Sequence, residues 1–477
     1  MVKRLRNNSR ENCGSKGFCK TGARARNINA STEVDTCREQ LSPFGGLLGL
    51  VKFLDLFDFR DNFNGTYIAP NREPKLGHYY MVLGILLLMF IGFNRIWHFI
   101  YIRLEPMLCG ILRVEQLPVA STFWRYLDSM GINQAESLLK IMSRLRGQVW
   151  KRCGINYSRI TIDIDTTVET IYGHQQGGRI GHNTQNRGKK GYRPVLCFIE
   201  QTREYLLGKL RKGETISGEE TAKVIRLIKE YLPQCVEKVL LRADGEFLSW
   251  QSVAAAIEEG HDFIFANKVC NPSFDPSLWY RPRQKEEMEF NSCFYKPMHW
   301  QGEHRFVVMR IPKKQEEGEQ NELFSEDLYT YRIFCTNLRG KAHEVIETYD
   351  KRADVENLVG EAKREGLAAI PSGKFKNNYA FFQVVMMAYN IWRYFKMLAQ
   401  LSARGNAAEG LKMIKDNTIR IGRLKLLTIA AKLVTPGNRD KVRYSIHDSR
   451  TPALLKFYKF LDKLRMEKCS AMAFNTT

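Results

Sequence analysis

Arg159-Ile-Thr-Ile-Asp-Ile-Asp165-Thr-Thr167 is the stretch on which the reading of this chain turns. Ile160, Ile162 and Ile164 alternate with Thr161, Asp163 and Asp165, the period of two that marks a half-buried β-strand. That strand carries two carboxylates on one face and ends on Asp165. Downstream, Pro194–Glu200 and Tyr205–Leu210 are apolar runs spaced for a hairpin, and Ser217 offers an N-cap to a helix over Glu219–Tyr231. Lys238–Arg242 reads as a short buried strand, Trp250–Glu259 as a helix and Asp262–Ala266 as another strand. Strands that first pair and then alternate with helices predict a mixed α/β sheet with helices on its faces.

Working outward, the rhythm breaks from Asn271 to Asp327, a stretch rich in Pro, Glu, Lys and aromatics with one strand-like run at Arg305–Ile311. It reads as a β-rich insertion. Tyr329–Cys335 resumes as a core strand, a long helix is expected from Ala342 to Glu365, and a helical stretch covers Tyr379–Leu401. Residues 44–150 read as helical. Within them Glu105–Leu112 and Ala120–Met130 bracket the turn Glu115-Gln-Leu-Pro118, and the second stretch opens Ser121-Thr-Phe-Trp-Arg125-Tyr. Either a helix-turn-helix that sends Arg125 toward a DNA groove or an ordinary packed pair of helices fits this pattern.

Composition narrows the partners. The 477 residues carry a formal charge of +22, and 44% are hydrophobic, enough for a sizeable core. Between Lys396 and Arg465 there are 16 Lys/Arg against 5 Asp/Glu, so half the excess sits in a short basic region. Clustering of this kind suits a polyanion, because neutralised phosphates release counterions. The 11 cysteines are scattered without a C-x-x-C pair, which suits reduced thiols, and Cys293, His299 and His304 match no common metal spacing. The apolar run Tyr79–Phe93 falls short of the roughly 20 residues a spanning helix needs, so a core helix is expected and no membrane.

The chemistry concentrates in three carboxylates. Asp165 and Asp244 each close a strand, where α/β sheets collect functional groups, and converging carboxylates call for a shared proton or a hard cation. On the expected long helix, Tyr349, Arg352, Glu356 and Lys363 fall at roughly 0°, −60°, −20° and −40° around the axis, one narrow stripe. A solvated stripe with salt bridges and a phosphate-facing stripe both fit it.

Tyr349-x2-Arg352-x3-Glu356-x6-Lys363 resembles the YREK signature of the DDE transposases encoded by bacterial insertion sequences. Asp163-Ile-Asp165-Thr-Thr167, followed by Tyr172-Gly-His174 and Gly191-Tyr192, resembles that family's first catalytic block, and Arg242-Ala-Asp244 its second. The resemblance runs from about residue 44 to 465. It chooses Asp165 over Asp163, since the family's aspartate precedes Thr-Thr; Glu246 departs from the small residue expected after the second block.

The resemblance implies an RNase H-like α/β fold: a mixed sheet flanked by helices, interrupted by the insertion. The chain would then divide into a basic disordered tail (1–43), a helical DNA-binding region (44–155), a catalytic domain in two parts (156–270 and 328–400) split by 271–327, and a basic helical C-terminal region (401–477). It also implies Asp165, Asp244 and Glu356 as ligands of two Mg²⁺ ions, with Mn²⁺ able to substitute. Tyr349, Arg352 and Lys363 would contact DNA phosphate. Trp300 in the insertion, with Trp279 beside it, would stack on a flipped base or simply pack. Arg420, Arg423 and Lys425 would track the DNA backbone. The implied partners are terminal inverted repeats and target DNA, held by a homodimer in a bacterial, nucleoid-associated setting.

Overall fold

Arg159–Thr166 (β1) lies inside an eight-stranded mixed sheet. The other strands are Val195–Ile199 (β2), Glu204–Lys209 (β3), Lys238–Ala243 (β4), Asp262–Ala266 (β5), Glu289–Tyr295 (β6), His304–Pro312 (β7) and Tyr329–Thr336 (β8). Their spatial order is β6-β7-β8-β5-β4-β1-β2-β3. β1, β2 and β3 pair antiparallel, whereas β1, β4 and β5 run parallel and need crossovers, which helices supply. The computed structural model describes residues 28–477 apart from 182, 184–185, 284, 286, 314–328, 404–413, 415–416 and 476–477.

The stretch 271–327 contributes two strands, β6 and β7, which lengthen the central sheet by pairing through β8 onto β5. Much of its charged loop, 314–328, lies outside the described residues.

The helices used below are His78–Phe90 (α1), Ala120–Ser129 (α2), Ile132–Cys153 (α3), Gly218–Leu227 (α4), Trp250–Glu258 (α5), Ala342–Asp350 (α6), Asp354–Ala362 (α7), Phe375–Ser402 (α8) and Thr451–Asn475 (α9). Ser217 caps α4 by accepting from the Glu220 N–H at 3.2 Å. Every residue of α1 from Met81 to Phe90 is buried, as expected for a helix apolar all round. No helix among the described residues is long and apolar enough to cross a membrane.

One apolar core runs from Leu47 to Leu464, so the change from helices to strands near residue 155 is not a break in packing. Several polar groups inside it pair with one another. Arg146 of α3 and Glu204 of β3 are fully buried and meet at 2.7 Å, and Trp150 Nε1 donates to the same carboxylate at 2.6 Å. The outer edge of β3 is covered by α8: Asn390 bonds both the N–H and the C=O of Tyr205, and Gln383 Nε2 donates to the Gly208 carbonyl. An edge strand's free backbone groups are thereby satisfied.

Three expectations need correction. Of the tail 1–43, residues 1–27 lie outside the described residues, but Gln40–Ser42 forms a strand paired with Ala431–Leu433. The C-terminal region is not purely helical: Ala431–Val434 and Lys441–Tyr444 make a hairpin across Pro436-Gly437, and only then does α9 begin. The expected helix 342–365 is broken. A 3₁₀ turn at Lys351–Ala353 separates α6 from α7, and a π-helical turn at Lys363–Leu367 follows, with Gly366 at φ +134°. Its three 3₁₀ residues turn about 120° each where an α-helix turns about 100°, shifting the stripe by about 60°.

Candidate catalytic site

β1 and β4 run side by side in parallel, with Asp163 in register with Arg242 and Ile164 with Ala243. Asp163 and Asp165 leave the same face of β1 but meet different partners. Asp163 is gripped by Arg242 in a bidentate pair at 2.7 and 2.8 Å, and both side chains are almost wholly buried. Arg242 also donates to the Thr348 carbonyl of α6 at 2.7 Å and lies 3.2 Å from Glu200. Its donors are therefore spent on the scaffold.

Asp165 stands at the mouth of the strand. Its Oδ1 accepts from Arg352 Nη2 at 2.9 Å, and the same nitrogen donates to the Ile164 carbonyl at 2.9 Å. Arg352 thus reaches the end of β1 from the 3₁₀ turn between α6 and α7. Its Nε is buried without a hydrogen-bond partner among the described residues. Asp244 follows β4 at once, and its Oδ1 accepts from the Glu246 N–H at 3.0 Å, closing a tight turn. Burial pushes the Asp165 carboxyl up to about 6; Arg352 opposes the rise and Asp244 adds to it. Tyr349 joins from the last turn of α6, its ring 4.6 Å from that of Phe334. Burial raises its hydroxyl, with Arg352 opposing and Asp244 and Asp165 contributing. Asp165, Asp244, Tyr349 and Arg352 therefore form one electrostatic neighbourhood.

Two further contacts fix the backbone beyond Asp165, and neither Arg193 nor Glu169 stood out in the sequence. Arg193 makes an ion pair with Glu246 and donates to Thr166 Oγ1 at 3.3 Å, while Thr166 donates to Glu246 at 3.1 Å. The out-of-place Glu246 is thus held by its own cation; the one sequence cue to Arg193 was its place after Gly191-Tyr192. Lys363 donates to the Val168 carbonyl at 2.9 Å and lies 3.7 Å from the buried Glu169 carboxylate. Burial pushes Glu169 up to about 7, with Lys363 opposing.

The remaining candidates lie apart from this cluster. Glu356 is exposed in the first turn of α7, and no group of three His, Cys, Asp or Glu side chains among the described residues sits close enough to hold a metal. Trp300 packs half-buried against Trp250 and His304. Trp279 has the Arg310 guanidinium 4.0 Å above its ring. Arg125 is exposed on α2, whose Phe123 is buried and stacks on Phe99 at 3.9 Å. Arg420 is exposed and Lys425 half-buried. Arg423 is committed to the protein, donating to the Phe90 and Met89 carbonyls and pairing with Glu365.

Comparison with known proteins adds three findings. A family model described as Transposase DDE domain group 1 matches residues 26–466. No curated protein matches the chain. Among solved structures, the cryo-EM structure of a piggyBac transposase synaptic complex with hairpin DNA is similar at 10% identity and a TM-score of 0.43, over 80% of this chain and 81% of that one.

Proposed function

The chain belongs to the Transposase DDE domain group 1 family, and from that premise we propose that it is the DNA transposase of a bacterial insertion sequence, of the YREK branch. In this reading it binds terminal inverted repeats as a homodimer, cleaves at the element's ends through hairpin intermediates, and joins the 3′-hydroxyls to target DNA. The observation that carries the proposal is the pairing of Asp165 and Asp244 at neighbouring ends of parallel strands, beneath Arg352 and Tyr349 from the segment that bears Glu356.

The donor chemistry suits hard divalent ions: the groups are carboxylates, and burial together with the neighbouring Asp244 makes Asp165 costly to ionise until a cation offsets it. Asp165 and Asp244 would hold the Mg²⁺ ions, and Glu356, which stands apart from them in this structure, would complete the set on a movement of α7 toward the pair. Bound there, the ions supply a lowered pKa at the attacking oxygen and charge neutralisation at the leaving one. Arg352 steadies the Asp165 carboxylate and offers its remaining guanidinium donors to phosphate, a geometry that suits arginine. Tyr349 presents a hydroxyl beside it. An RNase H-like framework is supported by the order of the sheet, a three-stranded antiparallel unit followed by two parallel strands.

Cleavage of a supercoiled plasmid carrying the element's ends, with Mg²⁺, tests the site. Glu356→Gln should abolish nicking and joining while leaving DNA binding in place; full activity would remove Glu356 from the ligand set. Denaturing gels of excised ends should contain a closed strand of double length, and only open ends would overturn the hairpin route.

A further inference from the structure

Beyond Asp165 the chain makes an arm, residues 167–192, whose short strands Glu169–Thr170, Arg179–Ile180 and Lys190–Tyr192 form a separate three-stranded sheet. Its root is fixed on several sides. The Thr167 N–H donates to the Pro194 carbonyl, Lys363 holds the Val168 carbonyl, the Gln176 N–H donates to the Gly373 carbonyl at 2.7 Å, and the Tyr192 hydroxyl donates to the Gln176 carbonyl at 2.7 Å. The outer surface is different. Arg179, Arg187, Lys189 and Lys190 are exposed, and the arm's single acidic residue, Glu169, is buried. Tyr172 belongs to the same arm and has 73% of its surface exposed. The Lys189 ammonium lies 4.8 Å from the centre of its ring, and no aromatic ring among the described residues packs against it. At seven residues from Asp165, Tyr172 stands no more than about 25 Å from that carboxylate along the chain.

An exposed phenol with a lysine at its ring and further exposed cations on the same arm is the composition of a stacking platform for nucleic acid: the ring takes a base, and the cations take the backbone. The two tryptophans of the 271–327 stretch are less available, since Trp300 is covered by Trp250 and His304, and Trp279 by Arg310. We propose that Tyr172 stacks on an unpaired base of the DNA end while Lys189, Lys190 and Arg179 hold the flanking backbone, so that the arm grips single-stranded DNA beside the carboxylates. The proposal rests on the DNA-cleaving reading above and names the form of DNA that the site receives.

The full chain is titrated with two fluorescent oligonucleotides of one sequence, a blunt duplex and a duplex with a short unpaired end carrying 2-aminopurine. Tyr172→Ala should weaken binding to the unpaired end about 10-fold or more and restore the probe's fluorescence, with duplex affinity unchanged. Tyr172→Trp should keep both the affinity and the quenching, and Lys189→Ala should weaken both DNAs together and lower the salt slope. Equal affinity of wild type and Tyr172→Ala for the unpaired end, with quenching retained, would overturn the platform. Failure of the wild type to bind either DNA would instead overturn the DNA-cleaving reading on which it rests.

Discussion

Asp163 and Asp165 leave one strand on one face, two residues apart, and each meets an arginine. The inner pair is closed. Arg242 comes from the neighbouring strand in register, meets Asp163 with two parallel hydrogen bonds and spends a third donor on the Thr348 carbonyl. The outer pair is open. Arg352 comes from a 3₁₀ interruption between two helices, bonds one Asp165 oxygen and keeps Nε unpaired. A carboxylate whose cation is anchored in the sheet is part of the scaffold. One whose cation is hung from a helix break, with a second aspartate alongside, has capacity left for a ligand. Mid-helix 3₁₀ turns recur at functional hinges, and this one delivers its arginine to the end of the strand.

Removing each arginine is the most direct way to break this comparison. Arg242→Ala leaves Asp163 buried without its cation and should cost about 3–5 kcal/mol of stability, read from urea unfolding. Arg352→Ala uncovers a carboxylate that already borders solvent and should cost under about 2 kcal/mol. Equal losses would mean that both pairs are scaffold.

The titration of Asp165 sharpens the same contrast. Its folded value near 6 stands above the ordinary 3.8, so the folded state binds this proton more tightly than the unfolded chain does. The resulting stabilisation is fully present below about pH 4 and is lost as pH rises through 6, up to about 3 kcal/mol over the window. Asp165→Asn should flatten the stability profile between pH 4 and 7 by that amount in metal-free protein. An unchanged slope would show that Arg352 compensates the burial of the outer carboxylate.

The inner and outer pairs also divide what the sequence discloses from what it does not. β1, the Ser217 cap and α5 were legible because period-two alternation and capping are local signals. Asp165 and Asp244 could be marked as strand-closing carboxylates, and the motif order tied them to Tyr349 and Arg352. Arg242 was visible only as a neighbour of Asp244 in the Arg242-Ala-Asp244 block; its pairing with Asp163 depends on register with a strand far back in the chain. The break at Lys351–Ala353 contains neither glycine nor proline, and what distinguishes it is the tertiary bond from Arg352 to β1. Gly366 was visible, yet a glycine in a helical pattern does not announce a φ of +134°. Likewise the partner of Gln40–Ser42 lies at the far end of the chain, beyond any local pattern.

The smallest expected effect comes from replacing Arg352 by lysine. The bond from Arg352 to Asp165 is made by one nitrogen to one oxygen, so an ammonium of similar reach can take it over. Stability should change by less than about 1 kcal/mol, the range of partly exposed ion pairs. Lysine cannot, however, keep further guanidinium donors for phosphate once a single nitrogen has bonded Ile164 and Asp165, as Nη2 of Arg352 does. Arg352→Lys should therefore unfold at nearly the wild-type urea concentration and yet cleave plasmid far more slowly, a separation of folding from activity. Wild-type cleavage would reduce Arg352 to a generic positive charge, and a large loss of stability would move the outer pair into the scaffold beside Arg242.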